Sequence, residues 1–341
     1  MIVVMKVGSA EREIDGVLER LKELGFKGSL SRGVERTVIG VVGQTYPELA
    51  DELAVLEGVA DVVPISRPYK LASREFKPED TVIKVGNVTI GGGNTVVMAG
   101  QCSVDTEEQM MATARLVKEA GGHILRGGAF KPRTNPYAFR GLGEKGLQIL
   151  ATAREETGLP IISEVMDPRD VELVARYADI LQVGSRSMQN FALLDEVGRS
   201  GKPVLLKRGM WAPLQEWLLA AEYVLAQGNG EVILCERGIR TFETSTRFTM
   251  DLSAIPAVKR LSHLPIIGDP SHATGHRYLV EPMAMASVAA GADGLIVELH
   301  PNPDQALSDG AQSLTFGGFR QLMERVGEVA KAVGRPLAAA S

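Results

Sequence analysis

The first 66 residues alternate between short apolar runs and amphipathic stretches. Residues 1–7 form a run rich in β-branched side chains, which favours a buried strand. Between residues 10 and 24, apolar positions recur every three or four residues, which is the spacing of one helix face. The same pattern predicts further strands at 26–31, 36–42 and 59–65 and a second helix at 46–57. The order of these elements is that of a ferredoxin-like βαββαβ domain.

A longer pattern begins at about residue 81. A short hairpin is predicted first, with strands at 81–85 and 88–90, and eight apolar strand cores then alternate with helical stretches. The strand cores are 95–99, 123–126, 160–164, 179–183, 203–207, 231–235, 265–269 and 294–298. Because no G-x-G-x-x-G motif follows a strand, a (β/α)₈ TIM barrel is favoured over an open doubly wound sheet. We therefore predict an α/β protein with a ferredoxin-like domain at 1–66, a linker at 67–80 and the barrel at 81–341.

Composition excludes several classes of protein. Of the 341 residues, 45% are hydrophobic and 23% are charged, which is typical of a soluble globular protein rather than a disordered one. No apolar run approaches the ~20 residues of a membrane helix, and the first strand carries neither a basic leader nor a cleavage site. The net charge is −5, with no basic stripe for nucleic acid. With two cysteines, the sequence predicts a cytoplasmic protein without a membrane or nucleic-acid partner.

Positively charged residues lie at or after the ends of four predicted barrel strands. Arg126 and Lys131 belong to the second strand, Arg186 to the fourth, Lys207 to the fifth and Arg237 to the sixth. In a TIM barrel, the C-terminal strand ends meet at one rim, where functional residues lie. Loops are polar in any protein, but cations crowded at one rim of an acidic chain repel each other unless an anion compensates them. We therefore favour a site for phosphate or carboxylate groups over a merely polar rim.

Four potential metal ligands also lie at or beyond strand ends. Cys102 follows the first strand, His272 follows the seventh, and Glu298 and Asp309 belong to the eighth and its loop. These strands are neighbours in a closed barrel, so the four groups can meet and bind Mn²⁺, Fe²⁺, Co²⁺ or Zn²⁺. Their spacing matches no linear metal motif. A buried small thiol, a loop imidazole, a partner for a rim arginine and a helix cap remain equally good interpretations.

The sequence resembles one known family at these same positions. The runs that carry the resemblance are GQCS at 100–103, LRGGAFKPRT at 125–134, SEV at 163–165, QVGSRSMQN at 182–190, LKR at 206–208, CERG at 235–238, DPSH at 269–272 and SDG at 308–310. They are similar to those of the 3-deoxy-D-arabino-heptulosonate 7-phosphate (DAHP) synthases. The resemblance extends from about residue 70 to the end, and residues 1–66 resemble the ferredoxin-like regulatory domain of one branch of that family.

The resemblance implies a function. Enzymes of this family condense phosphoenolpyruvate with erythrose 4-phosphate in the first step of the shikimate pathway to aromatic amino acids. It implies that the four potential ligands bind one essential divalent metal ion, with Mn²⁺ favoured, and that Lys131, Glu164, Cys102 and His272 are catalytic. The residues implied to bind phosphoenolpyruvate are Arg126, Lys131, Ser185, Arg186, Lys207 and Arg237. Arg133 and Thr134 are implied to bind erythrose 4-phosphate.

Two other functions are weighed against this one. The 3-deoxy-D-manno-octulosonate 8-phosphate synthases share the barrel and use arabinose 5-phosphate, but their loop after the second strand carries a Lys-Ala-Asn-Arg run. Here that loop reads KPRT, from Lys131 to Thr134, which is the heptulosonate type. A non-catalytic regulatory barrel would have lost metal ligands or cations, and none of these positions is eroded.

The N-terminal domain is expected to regulate the barrel. The resemblance implies a homotetramer in which tyrosine or phenylalanine binds between paired N-terminal domains and inhibits the enzyme. Ser29 and Ser31, in a polar stretch with flanking glycines, are candidates for that site. A solvated hairpin edge is an equally good interpretation of the same stretch.

Overall fold

The N-terminal part of the chain forms a small antiparallel sheet packed on two helices. The computed structural model describes residues 1–33, 36–43, 45–46, 48–63, 68–133, 135 and 137–339. The elements of this part are β1 (Ile2–Met5), α1 (Glu11–Glu23), β2 (Lys27–Arg32), β3 (Thr37–Val42), α2 (Leu49–Ala54) and β4 (Val59–Val63). The sheet order is β2-β3-β1-β4, which confirms the predicted ferredoxin-like arrangement.

The main difference from the prediction in this part is the length of the second helix. It was expected at 46–57, but α2 ends at Ala54 and Val55 is 82% exposed. Gly58 follows with a φ of +81°, a conformation that favours glycine, and the chain turns there into β4. The buried core of the domain includes Val3, Leu21 and Leu53. The predicted arrangement of the domain is therefore kept although α2 is shorter than expected, because the apolar core against the sheet is still formed.

Eight parallel strands form a closed barrel. They are β7 (Val96–Gly100), β8 (Ile124–Arg126), β9 (Ile161–Val165), β10 (Ile180–Val183), β11 (Val204–Lys207), β12 (Val232–Glu236), β13 (Ile266–Gly268) and β14 (Gly294–Glu298). The last strand pairs with the first, with Glu298 opposite Gly100, and this pairing closes the sheet. The predicted TIM barrel is confirmed, and each observed strand lies within one or two residues of its predicted bounds.

Helices cover the outside of the barrel and connect its strands. They are α3 (Glu107–Glu119), α4 (Glu144–Thr157), α5 (Val171–Tyr177), α6 (Phe191–Arg199), α7 (Leu214–Ala226), α8 (Ala254–Leu261), α9 (Pro270–Thr274), α10 (Arg277–Ala289) and α11 (Phe316–Ala332). Local sequence fixes several starts: the Thr106 side chain accepts the backbone N–H of Gln109 and begins α3. The same helix buries Met110, Ala114 and Val117, as its apolar spacing predicts.

A hairpin closes the end of the barrel at which the strands begin. Its strands are β5 (Ile83–Val85) and β6 (Val88–Ile90), joined at Gly86 and Asn87. Their apolar side chains form one cluster with the inward-facing residues of all eight barrel strands. The hairpin therefore excludes water from that end, and the opposite rim, where the strands end, is the accessible one. Within the described ranges, no helix is long and apolar enough to cross a membrane.

Candidate active site

A polar cavity of roughly 290 Å³ lies at the C-terminal ends of the barrel strands. Within the described part of the chain, two carboxylates, those of Glu164 and Asp309, line it together with six cationic side chains. The cationic residues are Lys131, Arg133, Arg186, Lys207, Arg237 and Arg247. The cavity is lined by Ser185 and His272 as well. An excess of positive charge in so small a space favours a ligand with more than one anionic group.

The structure brings most of the predicted site residues to this cavity. Cys102, Arg126 and Glu298 are buried directly behind it, at the ends of β7, β8 and β14. Thr134, predicted beside Arg133, lies outside the described residues. Ser29 and Ser31 lie on β2, an edge strand of the N-terminal sheet, where they pair with Gly40 and Val38 and do not line this cavity.

The four potential metal ligands lie together. Cys102, His272, Glu298 and Asp309 each offer one donor atom, and these atoms all lie within 4.8 Å of one another. The Cys102 Sγ is 2.9 Å from a carboxylate oxygen of Asp309. The His272 Nε2 is 3.3 Å from Glu298 Oε1. One thiol, one imidazole and two carboxylates at this separation fit a divalent transition-metal ion, because that donor set mixes soft and hard ligands.

The pKa values within this cluster agree with a site built for a cation. Burial and the neighbouring Glu298 raise the pKa of the Cys102 thiol to about 12. Burial alone would raise the pKa of Glu298 as well, but His272, Arg126 and Lys131 lower it well below its usual value. Because a thiol bound to a metal ion is deprotonated, a divalent cation at this cluster would offset the burial of the Cys102 thiolate.

The backbone at Asp309 is held in an uncommon conformation. Among the residues that the structure describes, it is the one non-glycine with a positive φ, at 52°. Its carbonyl accepts the Ser313 hydroxyl at 3.1 Å, and Arg247 contacts its carboxylate at 3.4 Å. Strained residues of this kind persist where the surroundings fix them, often at functional sites. In this conformation the carboxylate lies 2.9 Å from the Cys102 thiol.

Lys131 lies between the metal cluster and the anion cavity. Its Nζ donates to the Cys102 carbonyl at 3.1 Å and lies 2.9 Å from the Cys102 Sγ. Burial lowers the pKa of this ammonium, but Cys102 and Glu164 outweigh that effect and the pKa is raised. A Cβ at Gly128 would come within 2.8 Å of the Lys131 side chain, so glycine leaves room for it. Lys131 is therefore a buried ammonium between the metal-ligand cluster and the cavity.

Two further groups shape the anion subsite. Glu164 accepts the Gln182 side-chain amide at 3.2 Å, and a Cβ on Gly184 would come within 2.1 Å of the Glu164 carboxylate. Arg237 is 4% exposed and lies over the Phe248 ring at 4.3 Å. Its Nε finds no hydrogen-bond partner in the described part of the chain. A buried guanidinium N–H without a partner is costly unless a ligand accepts it.

Three residues of the site were not predicted from the sequence. Asp269 bridges Lys207 and His272, Arg247 contacts Asp309, and Gln312 donates to the second oxygen of Glu298 at 2.6 Å. The acid of the DPSH run, three residues before the histidine, was a usable signal for Asp269, since that spacing suits a helix cap. Arg247 and Gln312 lie far along their loops, where spacing gives no signal.

The fold and the site together define a (β/α)₈-barrel enzyme with a mouth lined by cationic side chains next to a candidate metal centre. Residues 74–335 match the family described as DAHP synthetase I, and residues 1–67 match the DAHP synthase ferredoxin-like domain. The chain belongs to the DAHP synthetase I family.

Its relatives agree with this assignment. The chain is 50% identical over 334 residues to the phospho-2-dehydro-3-deoxyheptonate aldolase of Thermotoga maritima, covering 98% of this chain and 99% of that protein. A crystal structure of that DAHP synthase superposes with a TM-score of 0.79 at 49% identity, covering 99% of each chain. The chain is also 35% identical to the 2-dehydro-3-deoxyphosphooctonate aldolase of Syntrophotalea carbinolica, over 72% of this chain and 94% of that protein.

Proposed function

We propose that the protein condenses phosphoenolpyruvate with D-erythrose 4-phosphate and water to give DAHP and inorganic phosphate, the first step of the shikimate pathway. The observation that carries this proposal is the cavity lined by cations beside a cluster of four metal-binding side chains. Family membership supports the same reaction. Phosphoenolpyruvate brings a phosphate and a carboxylate, and the sugar brings a second phosphate, so the cavity would compensate three anionic groups.

The cationic residues would divide between the two substrates. Lys207, Arg237 and the backbone near Ser185 are proposed to bind phosphoenolpyruvate, together with Arg126 and Arg186. Arg133 lies at the mouth, where its Nε donates to the Phe139 carbonyl at 2.8 Å, and is proposed with Thr134 to bind the phosphate of the sugar. Arginine suits this role because its planar fork binds phosphate or carboxylate oxygens through two hydrogen bonds.

The reaction requires a proton donor for the aldehyde oxygen of the sugar and a water molecule that attacks carbon 2 of phosphoenolpyruvate. Carbon 3 of the enol attacks the aldehyde carbon of the sugar, water adds to carbon 2, and the carbon–oxygen bond to phosphate then breaks. A divalent cation held by Cys102, His272, Glu298 and Asp309, with Mn²⁺ favoured, would supply Lewis acidity at the aldehyde. Lys131 is proposed to donate a proton to the alkoxide oxygen formed from the aldehyde, and Glu164 is proposed to hold the attacking water.

The choice of sugar separates this proposal from its alternative, an octulosonate synthase. Relatives with that activity in their names also match the barrel, but at 35% identity or less and over 67–72% of this chain. The heptonate relative matches over 98% of the chain at 50% identity. The relative that matches nearly the whole chain is thus a heptonate enzyme by name. For this reason, together with the loop that begins at Lys131, we propose the four-carbon sugar as the substrate.

A phosphate-release assay tests the proposal. Purified protein would be given phosphoenolpyruvate with erythrose 4-phosphate or with arabinose 5-phosphate, before and after chelation, and Mn²⁺, Fe²⁺, Co²⁺ and Zn²⁺ would be added back singly. We expect release with erythrose 4-phosphate, its loss on chelation, and recovery with at least one metal. Preference for arabinose 5-phosphate would contradict the proposed substrate, and full activity after chelation would contradict the metal requirement.

We propose further that the N-terminal domain regulates the barrel in a cytoplasmic homotetramer. Tyrosine or phenylalanine would bind between paired N-terminal domains, and Ser29 and Ser31 are the residues proposed to bind it. The two serines lie on β2, the first strand in the sheet order β2-β3-β1-β4, and an edge strand of this kind can pair with a second sheet. Sedimentation with and without each amino acid tests the assembly, and a monomer at assay concentrations would contradict it.

A further inference from the structure

Asp269 connects the metal cluster to the anion cavity. It is 1% exposed and follows β13 directly, and its Oδ1 accepts the backbone N–H of His272 at 3.0 Å. Its other oxygen, Oδ2, lies 2.8 Å from His272 Nδ1 and 2.6 Å from Lys207 Nζ. One carboxylate oxygen thus serves a proposed metal ligand and a proposed substrate-binding ammonium at the same time.

The first contact fixes which nitrogen of the imidazole is free. A buried aspartate accepts a hydrogen bond from Nδ1–H, so the lone pair of His272 is on Nε2. That nitrogen points to Glu298, another member of the four-ligand cluster, at 3.3 Å. Carboxylates that orient a metal-binding histidine in this way typically contribute 10–100-fold to metal affinity. Asp269 therefore prepares His272 as a ligand without binding the metal itself.

The second contact has the opposite effect on an anion. Lys207 is 4% exposed, lines the cavity and has its ammonium paired with Asp269. A carboxylate at 2.6 Å neutralises much of the field that this ammonium would otherwise offer to a phosphate. Removing the negative charge of Asp269 while keeping its shape would leave the cavity more positive.

We infer that Asp269 is a positioning residue that strengthens metal binding through His272 and moderates anion binding through Lys207, an inference that rests on the proposed function. Its removal is expected to move the two affinities in opposite directions. A residue that merely holds the fold together would weaken both. This difference in sign is the property that distinguishes the inference from a structural role.

The experiment measures binding of two simple probes to the full-length protein without turnover. Mn²⁺ affinity would be measured by electron paramagnetic resonance of the free ion, and inorganic phosphate affinity by calorimetry, for the parent and for Asp269→Asn. We expect Asp269→Asn to weaken Mn²⁺ binding by about 10–100-fold and to tighten phosphate binding by about threefold or more. Mn²⁺ affinity within threefold of the parent, or phosphate binding that is unchanged or weakened, would overturn the inference.

Two further variants keep the test decisive. Lys207→Met removes the other partner of Asp269, so we expect weaker phosphate binding and Mn²⁺ binding that is at least as tight as in the parent. A loss of both affinities would count against the inference.

Asp179→Asn is the matched control. Asp179 lies at the opposite end of the barrel, where it accepts hydrogen bonds from Arg154 at 3.1 Å and from the Ile161 backbone N–H at 2.8 Å. It should change neither affinity. A parent protein that binds neither probe would instead contradict the proposed function.

Discussion

The two ends of the barrel both bury charged groups, but they use them differently. At the open end, Arg237 has an Nε without a partner in the described ranges, Asp309 is strained, and Lys207 shares its carboxylate with His272. At the end closed by the hairpin, Asp293 accepts Lys259 at 2.9 Å, the Ile266 backbone N–H at 2.9 Å, and Arg335. At the open end, polar atoms such as Arg237 Nε are available to bind a ligand. At the closed end, the ion pairs and hydrogen bonds of Asp293 join separate segments of the chain.

The imidazoles at the closed end follow the same rule. His123 accepts the Val97 N–H and contacts the Ala338 carbonyl, both at 3.0 Å, so it ties the C-terminal segment to the barrel. His263 contacts Thr81 and the Leu71 carbonyl, both at 2.7 Å, and holds the segment that leads out of the N-terminal domain. The comparison teaches that the two ends differ in what their buried polar groups contact. At the closed end these groups join segments of the chain, although Arg335 Nε has no partner among the described residues, whereas at the open end they line or adjoin the cavity. Changes at the open end should therefore alter activity, and changes at the closed end should alter stability.

The largest effect is expected for Lys131→Met at the open end. The variant keeps the length of the side chain but loses the proton and charge next to Cys102, so kcat should fall by about 100-fold or more. Steady-state phosphate release measures it, and Lys145→Met on the exposed face of α4 is the control that should retain parental kcat. A Lys131→Met variant within tenfold of the parent would remove the proposed proton transfer.

Asp293→Asn should have the largest effect at the closed end, on stability. Removing the carboxylate leaves Lys259 and Arg335 without their shared partner, which typically costs about 3–5 kcal/mol for a buried pair. Urea unfolding measures the loss, while KM for phosphoenolpyruvate should stay unchanged. The control is Asp304→Asn, whose side chain is 90% exposed and whose change in stability should stay under about 1 kcal/mol. If Asp293→Asn unfolded with the same free energy as the parent but had a raised KM, the closed end would contribute to substrate binding rather than to stability.

His263 should make the closed end sensitive to acid. Burial, and then Lys77 and Arg74, lower its pKa to about 4, against an ordinary value of 6.5. The unfolded chain therefore takes up the proton first, and stability that is complete above pH 6.5 declines as the pH falls toward 4, by roughly 3 kcal/mol. We expect the unfolding free energy of His263→Gln to depend less on pH between 6.5 and 4 than that of the parent. An identical slope in both proteins would show that other groups cause the acid sensitivity.

The same contrast explains how much could be predicted from the sequence. Strand cores and the residues at their ends follow from local patterns, which is why Cys102, Lys207 and Glu298 could be proposed together. Arg247 could not, because its role depends on a contact across loops, and Asp269 was missed although its spacing from His272 in the DPSH run was a usable signal. The loop that carries Arg247 is positioned by Arg208, which contacts Glu236 and Asp251, both at 2.9 Å. Such pairs join residues many positions apart, and no periodicity in the chain records them.

The smallest effect on catalysis is expected when residues 1–66 are deleted. Ile2 of this domain belongs to one buried cluster with Tyr69 and Leu71 of the linker, and Lys27 donates to the Ala226 carbonyl at the end of α7, far from the open end. We expect kcat within about threefold of the parent, and loss of any inhibition by tyrosine or phenylalanine. Inhibition that persists after the deletion would place the regulatory site on the barrel. It would contradict the proposal that the barrel catalyses the reaction and the N-terminal domain regulates it.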